Sequence, residues 1–404
     1  MMIGILIIAL ALIAGILAGT LTGLSPGIHI NLVASVLVAS SAFFNSFSIP
    51  LIALAVFIAS MSITHTFLDF IPSIFLGAPE EDSFLSILPG HRMLKEGRGY
   101  DAFVITIYGS LFALLVITLF TPIFLAFLPN IYTIVKTAIP FILIFISIYL
   151  IFREGNFLIS IVVFILAGFL GFLAFNLPVQ QPLMPLLSGL FGLSGLIISL
   201  KSKTQIPKQK ISPLRKIKLT KREFFKSALA VLISSPFCSF LPGIGSGHAA
   251  TIGSEIIPQD TKGFLFLVGA TNTIVMGLSF ITVYAIEKSR SGSAAAIEQI
   301  LGTITQQNLI IILVAMLISG ILAAILGLSL AKLCARHISK IKYTYITLFT
   351  ISTLLIFNFI FTNWLGILIL ATATALGIFA ISSESRRINL MGALIIPAII
   401  YYLL

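Results

Sequence analysis

The stretch Phe240–Thr251 reads FLPGIGSGHAAT, and Thr22–Asn31 reads TGLSPGIHIN. Each places a Pro-Gly pair inside an apolar run. Proline withdraws a backbone donor and blocks helix continuation, while glycine permits dihedrals and close approaches denied to other residues. Each stretch therefore predicts an unwound segment followed by a fresh helix N-terminus. Such an end carries free N–H groups and partial positive charge, which favour an anion. The runs that hold the two pairs, 3–42 and 223–257, are too short for two ordinary spans each and read as hairpins of broken helices.

Working outward from these pairs, the chain of 404 residues is 58% hydrophobic and only 9% charged. Soluble domains carry about a quarter charged residues. A water-soluble enzyme, a disordered tail and a disulfide-built secreted module are excluded. Full spans are expected near 50–72, 101–127, 131–152, 157–176, 183–200, 263–286, 308–330, 344–361, 364–381 and 388–403. Helices are the natural choice, because an open strand in lipid leaves its backbone unpaired. The apolar N-terminus, Ile3 to Leu21, has no basic stretch before it and reads as a retained membrane segment. Cys238 and Cys334 stand in no metal-ligand or disulfide spacing.

Charge sets the expected orientation. Lys and Arg outnumber Asp and Glu by 24 to 13, a net +11, and ten of the basic residues lie between Lys201 and Lys226. That segment is expected to face the cytoplasm. Counting spans from it puts 21 of the 24 basic residues inside and leaves Lys136, Lys288 and Arg290 outside. The excess is thus a membrane signature and implies no nucleic acid. The same parity makes hairpin 3–42 start and end outside, and hairpin 223–257 start and end inside.

The halves echo each other. Ser25-Pro26-Gly27-Ile28 matches Leu241-Pro242-Gly243-Ile244 at an offset of 216, and Thr64-His65-Thr66 matches Thr271-Asn272-Thr273 at an offset of 207. The expected fold is an all-α polytopic membrane protein of two inverted-topology repeats. Each repeat has one broken-helix hairpin and about five full spans: 1–200, a solvated basic linker at 201–222, and 223–404. Inverted repeats with interrupted helices are the architecture of many secondary transporters.

Candidate substrate-binding residues flank the two breaks: Ser25, Pro26, Gly27, His29 and Asn31 in the first, and Pro242, Gly243, Gly245, Ser246, Gly247 and His248 in the second, with Thr251 nearby. Hydroxyls, amides and imidazoles beside a helix N-terminus add donors for a carboxylate. Polar residues within the spans are candidates for a coupling Na+ or H+: Thr64, His65, Thr66, Asp69, Glu255, Thr271, Asn272 and Thr273. No phosphate-binding GxxxxGK[ST] loop or HExxH is present. Ser246 lacks the GxSxG spacing, and neighbours two apart on a helix diverge, so Ser246 and His248 make a poor hydrolase pair. No enzyme, metal site or bound cofactor is expected beyond a coupling ion.

Three pieces together resemble the large membrane subunit of the tripartite tricarboxylate transporters. They are SPGIHIN at 25–31, GAPEEDSFLSILPGHRMLKEGRGYDAF at 77–103, and LPGIGSGH at 241–248. In the second, Gly77-Ala78-Pro79 fits the family's turn, and Gly90-His91-Arg92-Met93 with Gly97 fits the run after it. His29 and Ser246 stand where small residues are usual, so the pocket is expected to differ. The resemblance implies Pro-Gly loops along the substrate path, an ion gradient as energy source, an extracytoplasmic solute-binding protein and a small membrane subunit as partners. The function expected is multi-pass cell-membrane transport of small organic anions of the di- or tricarboxylate kind, by alternating access. The alternative is a polyprenyl-phosphate translocase, since helix N-termini suit phosphate equally.

Overall fold

The computed structural model describes residues 2–25, 30–41, 49–77, 87–179, 181–201, 206–340 and 343–403. Every element in them is helical, and eight helices are long and apolar enough to cross a membrane. Large apolar side chains such as Phe141, Phe145, Phe169, Phe349 and Trp364 face outward, as a surface bathed in lipid requires.

The second Pro-Gly stretch interrupts helices. Helix α1 (Met2–Leu24) stops before the first and α2 (Ile30–Ala39) starts after it; Pro26, Gly27 and His29 lie outside the described residues. In the second half, helices of 18 and 11 residues, α9 (Lys221–Cys238) and α10 (Ser246–Ile256), flank a non-helical turn with Gly243 at φ 72°. At 1.5 Å per residue, α2 and α10 are each about 15 Å long, half a bilayer core. The arms of the hairpins are therefore unequal, and α1 is long enough to cross alone.

The remaining elements are α3 (Leu51–Leu76), α4 (Ile87–Lys95), α5 (Gly99–Val135), α6 (Ile139–Phe152), α7 (Phe157–Asn176), α8 (Leu183–Lys201), α11 (Thr261–Ile286), α12 (Gly292–Leu301), α13 (Gln306–His337), α14 (Tyr343–Ser382) and α15 (Gly392–Leu403). Pro72 has no N–H for the helical ladder, and the end of α3 widens into a π turn from Pro72 to Leu76. One expected break moves and another holds. The break after the third span falls at 136–138, since α5 accommodates Pro122 and Pro129 and Pro140 sits in the first turn of α6. The expected span 131–152 is thereby cut to a 14-residue helix. Helix α14 divides at Asn363, whose φ of 55° asparagine tolerates better than most residues, between the two expected spans.

Helix lengths recur in order. Helices α3 and α11 both have 26 residues, α4 and α12 have 9 and 10, and α5 and α13 have 37 and 32. Packing is reciprocal too: α3 lies on α13 as α11 lies on α5, and α12 lies on α3 as α4 lies on α11.

Glycine lets the tightest pairs form. In α1, Gly15, Gly19 and Gly23 repeat every four residues and lie against α3. A Cβ at Gly19 would stand 2.4 Å from the Met61 carbonyl oxygen. Between α5 and α11, a Cβ at Gly109 would stand 2.2 Å from the Phe266 oxygen, and one at Gly269 2.3 Å from the Thr106 oxygen. Backbones in these pairs touch, the packing that small residues permit in membranes. Ser110 Oγ adds a bond to the Gly269 carbonyl at 3.1 Å.

The basic segment after α8 does not hang free in solvent as expected. Residues 206–219 are docked on α4 and α5. Lys210 N–H donates to the Gly97 carbonyl at 2.7 Å, and the Gln209 amide accepts from Gly99 N–H at 2.8 Å and donates to the Leu94 carbonyl at 2.9 Å. Gln209 satisfies backbone groups at the end of α4 and the start of α5, a gain that a solvated linker would forgo.

Candidate functional site

Asn31, early in α2, and the second break face one another across a cavity of about 310 Å³. Its wall includes Asn31 from α2, Gly243 and Ile244 from the second break, and Met276 from α11. Arg290, Ser291 and Gly292 enter from the loop before α12, and Leu394, Pro397 and Ala398 from α15. The first turns of α2 and α12 and the turn before α10 reach this space. Asn31 is the second residue of α2, Gly243 and Ile244 precede α10, and Gly292 opens α12. Gly292 sits so close to Asn31 that a Cβ there would be 2.6 Å from the Asn31 carboxamide carbon.

Arg290 Nε and Nη2 both donate to the Ile244 carbonyl, at 3.0 and 2.6 Å. Ser291 caps α12, its hydroxyl accepting from Ala294 N–H at 3.2 Å, and its Oγ lies 3.1 Å from Ser279 Oγ. Sequence reasoning counted Arg290 only as an outside charge. The signal available was an arginine on the cation-poor side, set among Ser289, Ser291 and Gly292.

Other candidates of the second break lie behind the wall. Ser246 and His248 are buried, and His248 Nδ1 accepts from Gly245 N–H at 3.2 Å. The imidazole thus caps the first turn of its own helix. Thr251 Oγ1 donates to the Gly247 carbonyl at 2.9 Å. Pro242, Gly245 and Gly247 do not line the cavity. Ser25 ends α1, its N–H donating to the Leu21 and Thr22 carbonyls.

A second polar cluster joins α3 to α11. Thr66 Oγ1 lies 3.2 Å from Thr273 Oγ1, and Asn272 Nδ2 donates to Asp69 Oδ2 at 2.9 Å. Asp69 is 1% exposed. Behind it, His65 Nδ1 lies 3.0 Å from Thr22 Oγ1 on α1. Thr64 is buried on the α1 side of α3, and Thr271 Oγ1 returns to its own helix at the Val268 carbonyl. Asn272 and Met276 are four residues apart, so about 6 Å along α11 separates the carboxylate cluster from the cavity wall.

Glu255 belongs to neither cluster. It pairs with Arg153 and, at 3.1 Å, with Arg386, which also bonds Glu154 at 2.5 Å. The network joins the end of α10 to the loops after α6 and after α14.

An all-helical, multi-pass membrane protein with a helix hairpin broken beside a cavity that holds one arginine is the class that this fold and site define. The chain belongs to the tripartite tricarboxylate transporter TctA family, whose model matches residues 9–392. The resemblance read from three short motifs thus extends over nearly the whole chain. An uncharacterized protein of Methanocaldococcus jannaschii is 32% identical over 410 residues, covering 98% of each chain. No solved structure matches significantly. The family is one of transporters, so the chain is a component of a tricarboxylate transport system by kinship.

Proposed function

We propose that this chain is the permease of a secondary active transporter for small di- or tricarboxylates, working by alternating access in the cell membrane. The observation that carries the proposal is a cavity walled by Asn31, just beyond the first Pro-Gly stretch, on one side and by Gly243 of the second break on the other. Carboxylates have reason to enter it, because helix N-termini favour negative charge.

The two halves act as inverted repeats. Recurring helix lengths and reciprocal packing support this, and so does the bond between Thr66 and Thr273, which occupy matching positions at the offset of 207. Equivalent residues touch each other only on a two-fold axis. Coupling is assigned to Asp69, with Thr66, Thr273 and Asn272 as oxygen donors beside it, for Na+ or H+. One turn of α11 connects that cluster to the cavity, so ion occupancy and substrate occupancy bias the same helix. The family's name implies a solute-binding protein and a small membrane subunit as partners.

The test is uptake of labelled citrate and succinate into proteoliposomes under imposed Na+ or pH gradients, with and without the two partner proteins co-reconstituted. Gradient-dependent uptake of at least one anion is expected. Absence of any carboxylate uptake in either format, together with binding of polyprenyl phosphate, would reverse the assignment.

A further inference from the structure

Resting on the carboxylate reading and deepening it, we propose that Arg290 is the charged anchor of the substrate site. Its guanidinium binds one carboxylate of a di- or tricarboxylate held between Asn31, Gly243 and Gly292. The loop that carries it does not stay at the surface. Ser291 meets Ser279, and Ser279 lies seven residues before the end of α11 at Ile286. At 1.5 Å per residue that is about 10 Å back along the helix. The loop therefore folds inward and takes Arg290 to the cavity wall, where it is the one charged side chain among the described residues.

The bonds to Ile244 leave capacity for a ligand. Two of the five guanidinium N–H groups are engaged by the Ile244 carbonyl, and a carboxylate can take two more as a fork. The same bonds fix the guanidinium against the break that precedes α10, so it is pre-positioned rather than recruited.

Charge selects the ligand class. Each helix N-terminus is equivalent to roughly half a positive charge, so those of α2 and α12 with Arg290 sum to about +2. Two carboxylates match that total, and a single one does not. A volume of about 310 Å³ is at the small end of ligand sites, which suits short organic acids.

The test is calorimetric binding of succinate, citrate and the monoamide succinamate to the purified full-length chain, as wild type, Arg290→Lys and Arg290→Gln. Wild type is expected to prefer succinate over succinamate by roughly 10- to 100-fold, the range of one charge-assisted bond. Arg290→Gln should weaken succinate by a similar factor and bring the two ligands level. Arg290→Lys keeps the charge but not the fork, and should retain an intermediate preference; it carries the test alone if the glutamine variant does not fold. Equal loss of both ligands would show that Arg290 only steadies Ile244, and would overturn the proposal. Unchanged succinate affinity, or no wild-type preference, would overturn it as well. If wild type binds none of the three anions, the carboxylate reading itself falls and takes this proposal with it. That outcome is distinct from wild-type binding that is indifferent to residue 290.

Discussion

Gly243 offers a graded perturbation, because two separate costs can be read from its geometry. Its φ of 72° lies in the left-handed region, which costs an L residue about 1–2 kcal/mol. A Cβ there would also lie 3.2 Å from Ala398 Cβ and 3.4 Å from the Leu394 carbonyl oxygen. Gly243→Asn should be mildest, since asparagine tolerates this backbone; Gly243→Ala should be intermediate. Gly243→Val adds a branched side chain in a conformation such residues rarely adopt and crowds Ala398, so about 3 kcal/mol is expected in all. The crowded atoms belong to α15, the last helix of the chain, so all three variants should insert. Thermal midpoints in detergent measure the stability order, and proteoliposome uptake measures transport, which should fall in the same order. Pairing Gly243→Ala with Ala398→Gly should return the crowding component and leave the backbone component. A valine variant as stable and active as the asparagine variant would refute this account of the break.

Asp69→Asn keeps the side-chain shape and removes the charge; exchange of substrate across the membrane should persist while dependence of net uptake on the imposed ion gradient disappears, and an unchanged gradient dependence would remove Asp69 from coupling. His91, in α4 outside the spans, has Nδ1 2.9 Å from the Ile74 carbonyl. Burial foremost lowers its pKa, the Ile74 bond opposes this, and Lys95 and Arg387 lower it further. Because the folded value lies below the unfolded value of about 6.5, the unfolded chain takes up the proton first, and stability should fall as pH drops below about 6.5. His91→Gln should flatten the decline in thermal midpoint between about pH 7.5 and about pH 5; an unaltered slope would place the titrating group elsewhere.

Much of this architecture was legible because lipid imposes a simple rule. Apolar runs must be helices, and polar residues must mark their ends or their function. The break at 239–245 and the divide at Asn363 followed from it. What escaped was depth and contact. Pro129 read as a span boundary, yet α5 runs through it. The four-residue spacing of Gly15, Gly19 and Gly23 was open to view, but spacing alone does not say which helix it faces. Arg290 read as a surface charge because only the contact between Ser291 and Ser279 shows that its loop folds inward. Glu255 read as a free intramembrane acid, because its partners Arg153 and Arg386 are 102 and 131 residues away in sequence.

The residues where the two halves differ are as informative as those where they match. At the offset of 207, Thr66 answers Thr273, but the counterpart of Asp69 is Met276 and the counterpart of Arg290 is Ser83. Faithful duplication would bring a second carboxylate to the α3–α11 contact. Two like charges so close in a low-dielectric interior cannot both ionise, and one would be held protonated. A single carboxylate facing the Asn272 amide avoids that conflict and leaves one group to gain or lose a cation. The methionine that replaces the second acid faces the cavity instead, where an added negative charge would repel the ligand. Symmetry therefore supplies the hinge and the helix ends, while the proposed chemistry, one acid and one guanidinium, sits only where symmetry is broken.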